Sequence, residues 1–324
     1  MSKICSVGGQ AVMEGVMMKS PKGIALSVRT AEGEIVTEYT PFETKAKKGT
    51  FFGLPIVRGC VSFVEALSTG MKTITRSTEL IGDEAFDEEP TKFELWLSRV
   101  LGQSVEKVVI GIAVILAVVL SVGLFFVLPL LGGSLLFRLV PGIPGGLRSL
   151  VEGVLRLLIF LAYILAVSNV KDIKRVFMYH GAEHKTIACY EAEAEVTPQN
   201  AMRYSRLHPR CGTNYLFLVM AVSILFFAVV GWNESFLARL ASRLLFLPLV
   251  AGLSYEVLRF AAKKDNPLTR IIRAPGMGLQ KLTTKEPTED MLEVAIASFR
   301  RAMKDVEEEL GPEEKKEIQA ADVE

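Results

Sequence analysis

All of the histidines in this sequence, three in number, fall within one short region. They are His180, His184 and His208, in the segments FMYHGAEHKTIACYE and RLHPRCGTNY. His180 and His184 are four residues apart, so on a helix both imidazoles project from one side, about one turn apart. Two imidazoles in this arrangement can share one metal ion.

Glu183 completes a short motif with the first two histidines. The order His-x-x-Glu-His is the reverse of the common zinc-protease order, in which two histidines bind the metal and the glutamate is the general base. The metal lowers the pKa of a water toward neutrality, and the carboxylate takes its proton. The motif predicts His180 and His184 as ligands, Glu183 as the catalytic base, and a divalent transition metal, with zinc preferred, as the cofactor.

A site of this kind needs a third protein ligand, and the sequence offers two candidates. His208 forms a chelating His-x-x-Cys interval with Cys211, and it is the easier geometric partner. Glu256 lies in a later apolar stretch, where a carboxylate is costly and usually functional. An ion pair with Arg259 or packing against the histidine loop are equally acceptable interpretations of Glu256.

Two classes of function remain open on these residues. The first is a metal-dependent hydrolase that acts on a peptide or a lipid-linked substrate at the inner membrane surface. The second is a non-catalytic membrane protein, a transport element or a scaffold, whose His/Glu cluster organises a loop by hydrogen bonds without metal. Because four spans with few buried charges make a poor transporter alone, a transport role would need a homo-oligomer or a partner.

Composition assigns the chain to the membrane proteins. Half of its 324 residues are hydrophobic and the mean hydropathy is +0.34, which is high for a soluble protein of this length. The 37 basic and 36 acidic residues nearly cancel, so the totals predict no nucleic-acid partner. The four cysteines are far apart, which favours reduced thiols, and the first residues do not resemble a secretory signal.

Four apolar stretches predict a membrane domain over residues 99–265, with the lipid bilayer as its partner. The spans cover about 105–131, 150–170, 215–232 and 244–262, and each approaches or exceeds the ~20 residues that a helix needs to cross the hydrocarbon core. Glu152 and Arg156 interrupt the second span. Because they are four residues apart on one helix face, we expect a mutual ion pair near the membrane edge.

Loop charge predicts the orientation of these spans. The histidine loop 171–214 and the segment after the fourth span are rich in Lys and Arg. The other two links carry only Arg138 and Arg148, and Arg239 and Arg243. Since basic residues near span ends stay in the cytoplasm, both termini and the histidine loop should lie on the cytoplasmic side of the cytoplasmic membrane.

The terminal segments predict a smaller, partly β structure. In residues 1–98, IALSVRT, AEG and EIVTEY form the pattern of a β-hairpin. An amphipathic helix over 54–81 could pack on this hairpin or lie on the bilayer. The acidic GDEAFDEEPTK reads as a linker. In residues 266–324 a charged helix is expected from Thr288 to about Leu310, followed by disorder. The expected fold is therefore a membrane α-helical protein with four transmembrane helices, a small cytoplasmic α+β N-terminal domain and a cytoplasmic C-terminal helix.

Several motifs resemble one family over nearly the whole chain. They are GGQAVMEGVMM, YHGAEHKTIACYE, HPRCGTNYLF, LSYEVLRF and PGMGLQKLTTKEP, in this order. Together they are similar to the YqhQ-like family of bacterial membrane proteins, which is sometimes labelled a predicted metal-dependent enzyme. The resemblance implies a cytoplasmic-membrane protein and is compatible with metal chemistry at His180, Glu183 and His184, but it implies no particular substrate.

Overall fold

A computed structural model describes residues 7–47, 49–82, 105–140, 142–231, 233, 235–263 and 266–309. The residues of the acidic linker from Asp83 onward, and the terminal stretch for which we predicted disorder, lie outside this description. The chain divides into two compact units, which are treated separately below. The first combines residues 1–85, 164–219 and 251–324, and the second combines residues 86–163 and 220–250.

A four-stranded antiparallel sheet forms the N-terminal part of the first unit. Its strands are β1 (Gly8–Val12), β2 (Gly15–Lys19), β3 (Gly23–Arg29) and β4 (Ile35–Pro41), in the order β1-β2-β3-β4. The predicted hairpin is confirmed as β3 and β4, with Arg29 opposite Ile35 beside the turn. β1 and β2 extend it into a four-stranded meander.

The remaining structure is helical. The helices are α1 (Val57–Ile81), α2 (Val105–Val122), α3 (Leu128–Leu139), α4 (Gly145–Val167), α5 (Lys171–Glu191), α6 (Pro198–Met202), α7 (Gly212–Val230), α8 (Phe236–Leu245), α9 (Leu247–Lys263), α10 (Pro267–Thr283) and α11 (Glu289–Glu309). A π-helical turn, Gly123–Val127, joins α2 to α3. The predicted C-terminal helix corresponds to α11. The histidine segment lies on a helix of its own, which begins at Lys171 after a break that follows α4.

Alternation along the strands gives the sheet two apolar faces. Val16 and Met18 of β2 join a core with α5 and α11, which contribute Tyr179, Leu292 and other buried side chains. Met17, between them, points to the opposite face and joins a second cluster that includes the end of α1. Because strand side chains alternate with a period of two, one short strand serves both clusters.

Among the described residues, three helical segments are long and apolar enough to cross a membrane. They are Gly111–Leu139, Leu147–Val167 and Gly212–Val230. A fourth is formed if α8 and α9, which are bent by 45° at their junction, count as one span. The predicted stretches therefore coincide with candidate spans. The link that we predicted between the third and fourth spans is itself largely helical, as α8.

Buried charges in the second unit are paired. The predicted Glu152–Arg156 ion pair is present, at 3.3 Å, and Arg243 also reaches the Glu152 carboxylate, at 3.1 Å. Arg239 donates a hydrogen bond to the Ser134 hydroxyl at 2.7 Å. Arg239 and Arg243, which the sequence indicated as loop residues, are thus buried in α8, where each has a polar partner.

Close packing of α5 against the chain after α10 gives a first testable prediction. A methyl group at Gly181 would lie 2.1 Å from the carbonyl oxygen of Lys285, whereas one at Gly278 would meet nothing within 4 Å. We therefore expect Gly181→Ala to destabilise the protein by about 1–3 kcal/mol through overpacking. Gly278→Ala should be neutral or slightly stabilising, because alanine favours a helix over glycine.

Thermal unfolding of both variants and the wild type in one detergent measures this difference. A clearly lower melting temperature for Gly181→Ala alone is the expected result. If the two variants melt together, the contact between α5 and Lys285 is looser than the structure indicates.

Candidate metal centre

Helix α5 brings His180 and His184 together on one face. Their ring centroids are 4.4 Å apart and their planes are inclined by 62°. His180 is half-buried, and His184 is only 1% exposed. The two rings therefore converge, as the four-residue spacing predicts.

Main-chain carbonyl groups fix the orientation of both rings. Nδ1 of His180 lies 2.9 Å from the carbonyl oxygen of Thr283, and Nδ1 of His184 lies 2.6 Å from that of Arg206. A carbonyl oxygen only accepts, so each Nδ1 carries a proton and each Nε2 keeps its lone pair. Histidines that bind metals through Nε2 are commonly held by a hydrogen bond of this kind.

Cys211 provides the third group at this point. Its Sγ lies 3.2 Å from Nε2 of His180, and the possible ligand atoms of His180, His184 and Cys211 all lie within 4.8 Å of one another. Within the described part of the chain, the buried Nε2 of His184 has no hydrogen-bond partner. Burial raises the pKa of the Cys211 thiol, an effect that a bound cation would oppose.

Glu183, a residue of α5, is buried against β1. The Gly9 amide donates a hydrogen bond to its carboxylate, while Oε2 has no partner among the described residues. Burial is the main reason that the pKa of Glu183 is raised to about 7. A positive charge on His180 would lower this pKa, and the nearby Cys211 raises it. A methyl group at Gly9 would lie 2.8 Å from Cδ of Glu183. This position accordingly requires glycine, a role that sequence reasoning missed.

His208 lies beside the histidine pair but outside the group of three. Its ring centroid is 5.7 Å from that of His184, and its Nε2 is 3.2 Å from a carboxylate oxygen of Glu191. The main chain of His208 exchanges two hydrogen bonds with the Gln280 side chain, both at 2.8 Å. Burial lowers the pKa of His208 to about 4. In the His-x-x-Cys interval, the side chain that lies beside Nε2 of His180 is that of Cys211 and not that of His208.

The structure does not bring Glu256 to the histidines. Its carboxylate accepts a hydrogen bond from Nε of Arg58 at 2.7 Å, forms a second contact with that guanidinium, and accepts the Ile56 amide at 3.4 Å. Among the described residues, the group that could hold a metal therefore does not include Glu256, one of the two candidate third ligands. Its direct ion-pair partner is Arg58 rather than Arg259, because α1 begins against α9.

A cleft of about 430 Å³ opens onto the group. Glu183, His184, His208 and Cys211 line it on one side, and Val7–Gln10 line it on another. This volume lies within the range of small-ligand pockets. Two imidazole nitrogens and one thiolate form a donor set suited to zinc, and three protein ligands leave a fourth position for water or substrate. The residue types of this group are therefore those found in zinc sites with three protein ligands.

Comparison with known proteins places the chain among relatives. Residues 54–305 match a family model described as a protein of unknown function, DUF1385. The chain is 33% identical over 301 residues to the uncharacterized protein YqhQ of Bacillus subtilis (strain 168), with 92% of each chain covered. No solved structure matches. This chain is therefore a member of the DUF1385 family and a YqhQ-like protein.

Proposed function

We propose that this protein is a membrane-bound metal-dependent hydrolase. In this proposal His180, His184 and Cys211 hold a divalent transition metal, preferably zinc, and Glu183 is the general base. The main support is the buried Nε2 of His184, which has no partner among the described residues and is directed at the group. An unsatisfied buried polar atom costs about 1–3 kcal/mol, and coordination of a cation would remove that cost.

The chemistry follows from the positions of the side chains. A bound zinc ion supplies Lewis acidity and lowers the pKa of water toward 7. Glu183, whose Oε2 is free to accept, takes a proton from the attacking water and returns it to the leaving group. The water oxygen forms a bond to the acyl carbon while the C–N or C–O bond breaks. Thr283 and Arg206 keep the two imidazoles in place throughout.

The charge of the loops supports a cytoplasmic location for the site. Lys171, Lys174 and Arg175 at the start of α5 support a cytoplasmic position for the group, together with both termini. The substrate would then be a peptide or a lipid-linked molecule at the inner face of the cytoplasmic membrane. The cleft beside Glu183 has room for part of such a substrate.

A non-catalytic role is the second candidate, and it has its own supporting observation. His180 binds the last residue of α10, and Gln280 of α10 binds the main chain of His208. These bonds join α5, α10 and the segment before α7, so the cluster could serve as a structural clamp. A structural metal site would fit this role as well as a catalytic one.

Metal content tests the ligand set. Protein purified in detergent and analysed for bound elements should contain close to one zinc ion per chain. His184→Ala and Cys211→Ala should lose nearly all of it, because two ligands rarely hold zinc. Glu256→Gln is the matched control and should retain the metal, since Glu256 pairs with Arg58.

A His208→Ala variant distinguishes the two halves of the His-x-x-Cys interval and should also retain the metal. If the wild type contains no transition metal, the enzyme proposal is wrong. Loss of metal in Glu256→Gln with retention in Cys211→Ala would overturn the ligand set while leaving a metal site in place.

Replacement of the proposed base separates catalysis from structure. Glu183→Gln should keep its metal but lose about 10²–10⁴-fold of the hydrolytic rate, because the amide cannot take a proton. The rate is measured in proteoliposomes by mass spectrometry of new peptide termini in a peptide mixture and of products from added lipid-linked esters. Glu195→Gln, an exposed substitution just after α5, is the control and should match the wild type.

If the wild type holds zinc and cleaves neither class of substrate, the structural role of the cluster is favoured. A Glu183→Gln variant with unchanged cleavage would remove Glu183 from the mechanism.

A further inference from the structure

Helix α1 exposes four of its large apolar side chains, whereas most of its buried residues are small. Val64, Leu67, Met71 and Ile74 are between 43% and 62% exposed. The buried residues of the helix are Gly59, Gly70, Thr73, Ser77 and Ile81. A helix on a soluble domain has the opposite arrangement, with its large apolar residues against the core.

The four exposed residues form one stripe, which we call the α1 stripe. Their spacings of three, four and three residues keep them on one side of a helix with 3.6 residues per turn. Glu65 and Lys72 each follow a stripe residue by one position, about 100° around the helix, and so form a charged flank. An apolar stripe bordered by charge is typical of helices that lie in a membrane surface.

The start of α1 packs against helices that qualify as membrane spans. The Phe63 ring lies 6.2 Å from the ring of Tyr215, in the first turn of α7. A methyl group at Gly59 would lie 2.9 Å from Cα of Gly252 in α9, which shows that the two backbones nearly touch. Tyr215 is three residues from Gly212, where the candidate span of α7 begins, so this contact would bring part of α1 close to the membrane surface if α7 crosses the bilayer.

Further apolar surface is continuous with this start. Phe51, Phe52 and Leu54 immediately precede α1 and are at least half exposed. A groove of about 1060 Å³ runs between α1 and strands β3 and β4, and Ile24, Leu26 and other apolar side chains line it. Exposed apolar surface of this extent usually has a covering partner.

We propose that α1 lies in the bilayer surface, with the α1 stripe inserted among lipid acyl chains. Lipid is favoured over a second copy of the chain because the start of α1 contacts α7 and α9, which would themselves be surrounded by lipid as membrane spans. Glu65 and Lys72 line the groove between α1 and the sheet, where water and headgroups would solvate them. The sheet and the histidine cleft are consequently held against the membrane surface.

Lipid contact can be measured with single tryptophans in the full chain. In a Trp96→Phe/Trp232→Phe background, Leu67→Trp and Met71→Trp report on the stripe, and Lys72→Trp is the matched control on the flank. Each protein is reconstituted into phosphatidylcholine vesicles with brominated acyl chains, which quench nearby indoles. Strong quenching at positions 67 and 71 and weak quenching at position 72 is the expected result.

Equal, weak quenching at all three positions would overturn the proposal. If that result comes with water-quenchable emission, the stripe faces solvent, and if it comes with protected, blue-shifted emission, a second copy of the chain covers it. Because the stripe positions are exposed, tryptophan should fit without repacking, and Ile74→Trp provides a further stripe position should one variant misfold.

Discussion

The close approach of main chain to both sides of α5 is the constraint on which the candidate site depends. On one side, the Lys285 amide donates to the Phe177 carbonyl at 2.8 Å, and Gly181 leaves room for the chain to pass. This contact places the Thr283 carbonyl where it binds Nδ1 of His180. On the other side, Gly9 lets β1 approach Glu183. Without these two glycines, the His180 imidazole and the Glu183 carboxylate would not hold a defined direction. Their partners are main-chain groups, which a side chain at either glycine would push away.

The electrostatics of the cluster supports the proposal of a bound cation. A carboxyl, two imidazoles and a thiol lie close together, and burial raises the pKa of Glu183 and Cys211 and lowers that of His184. A divalent ion reverses this balance, since it stabilises a thiolate and neutral imidazoles together. His208 differs, because it has Glu191 as a partner at 3.2 Å and needs no cation.

Local patterns predicted the parts of this structure that depend on local physics. Long apolar stretches predicted the candidate spans, and a four-residue interval predicted that His180 and His184 share a face. Cys211 was recognisable only as half of a chelating interval. The main chain of His208, three residues before Cys211, is bound by Gln280, which is 72 residues from His208 in the sequence. Similarly, Arg58 is 198 residues from Glu256, so no window of sequence could reveal their pairing. The arginines of α8 appeared to be loop residues because their partners, Glu152 and Ser134, are 91 and 105 residues away in the sequence.

The Arg58–Glu256 pair connects the position of α1 to that of the spans. Two charges deep in hydrocarbon are costly, and these side chains keep about a fifth to a quarter of their surface exposed. Glu256 lies six residues before Ala262, the end of the α9 segment that qualifies as part of a span, which is about 9 Å along a helix. That distance is shorter than the ~15 Å from the edge of the hydrocarbon core to its centre, so Glu256 would lie off the bilayer centre if this segment spans. Because Arg58 stands in the first turn of α1, the ion pair that satisfies Glu256 also fixes where α1 begins relative to α9.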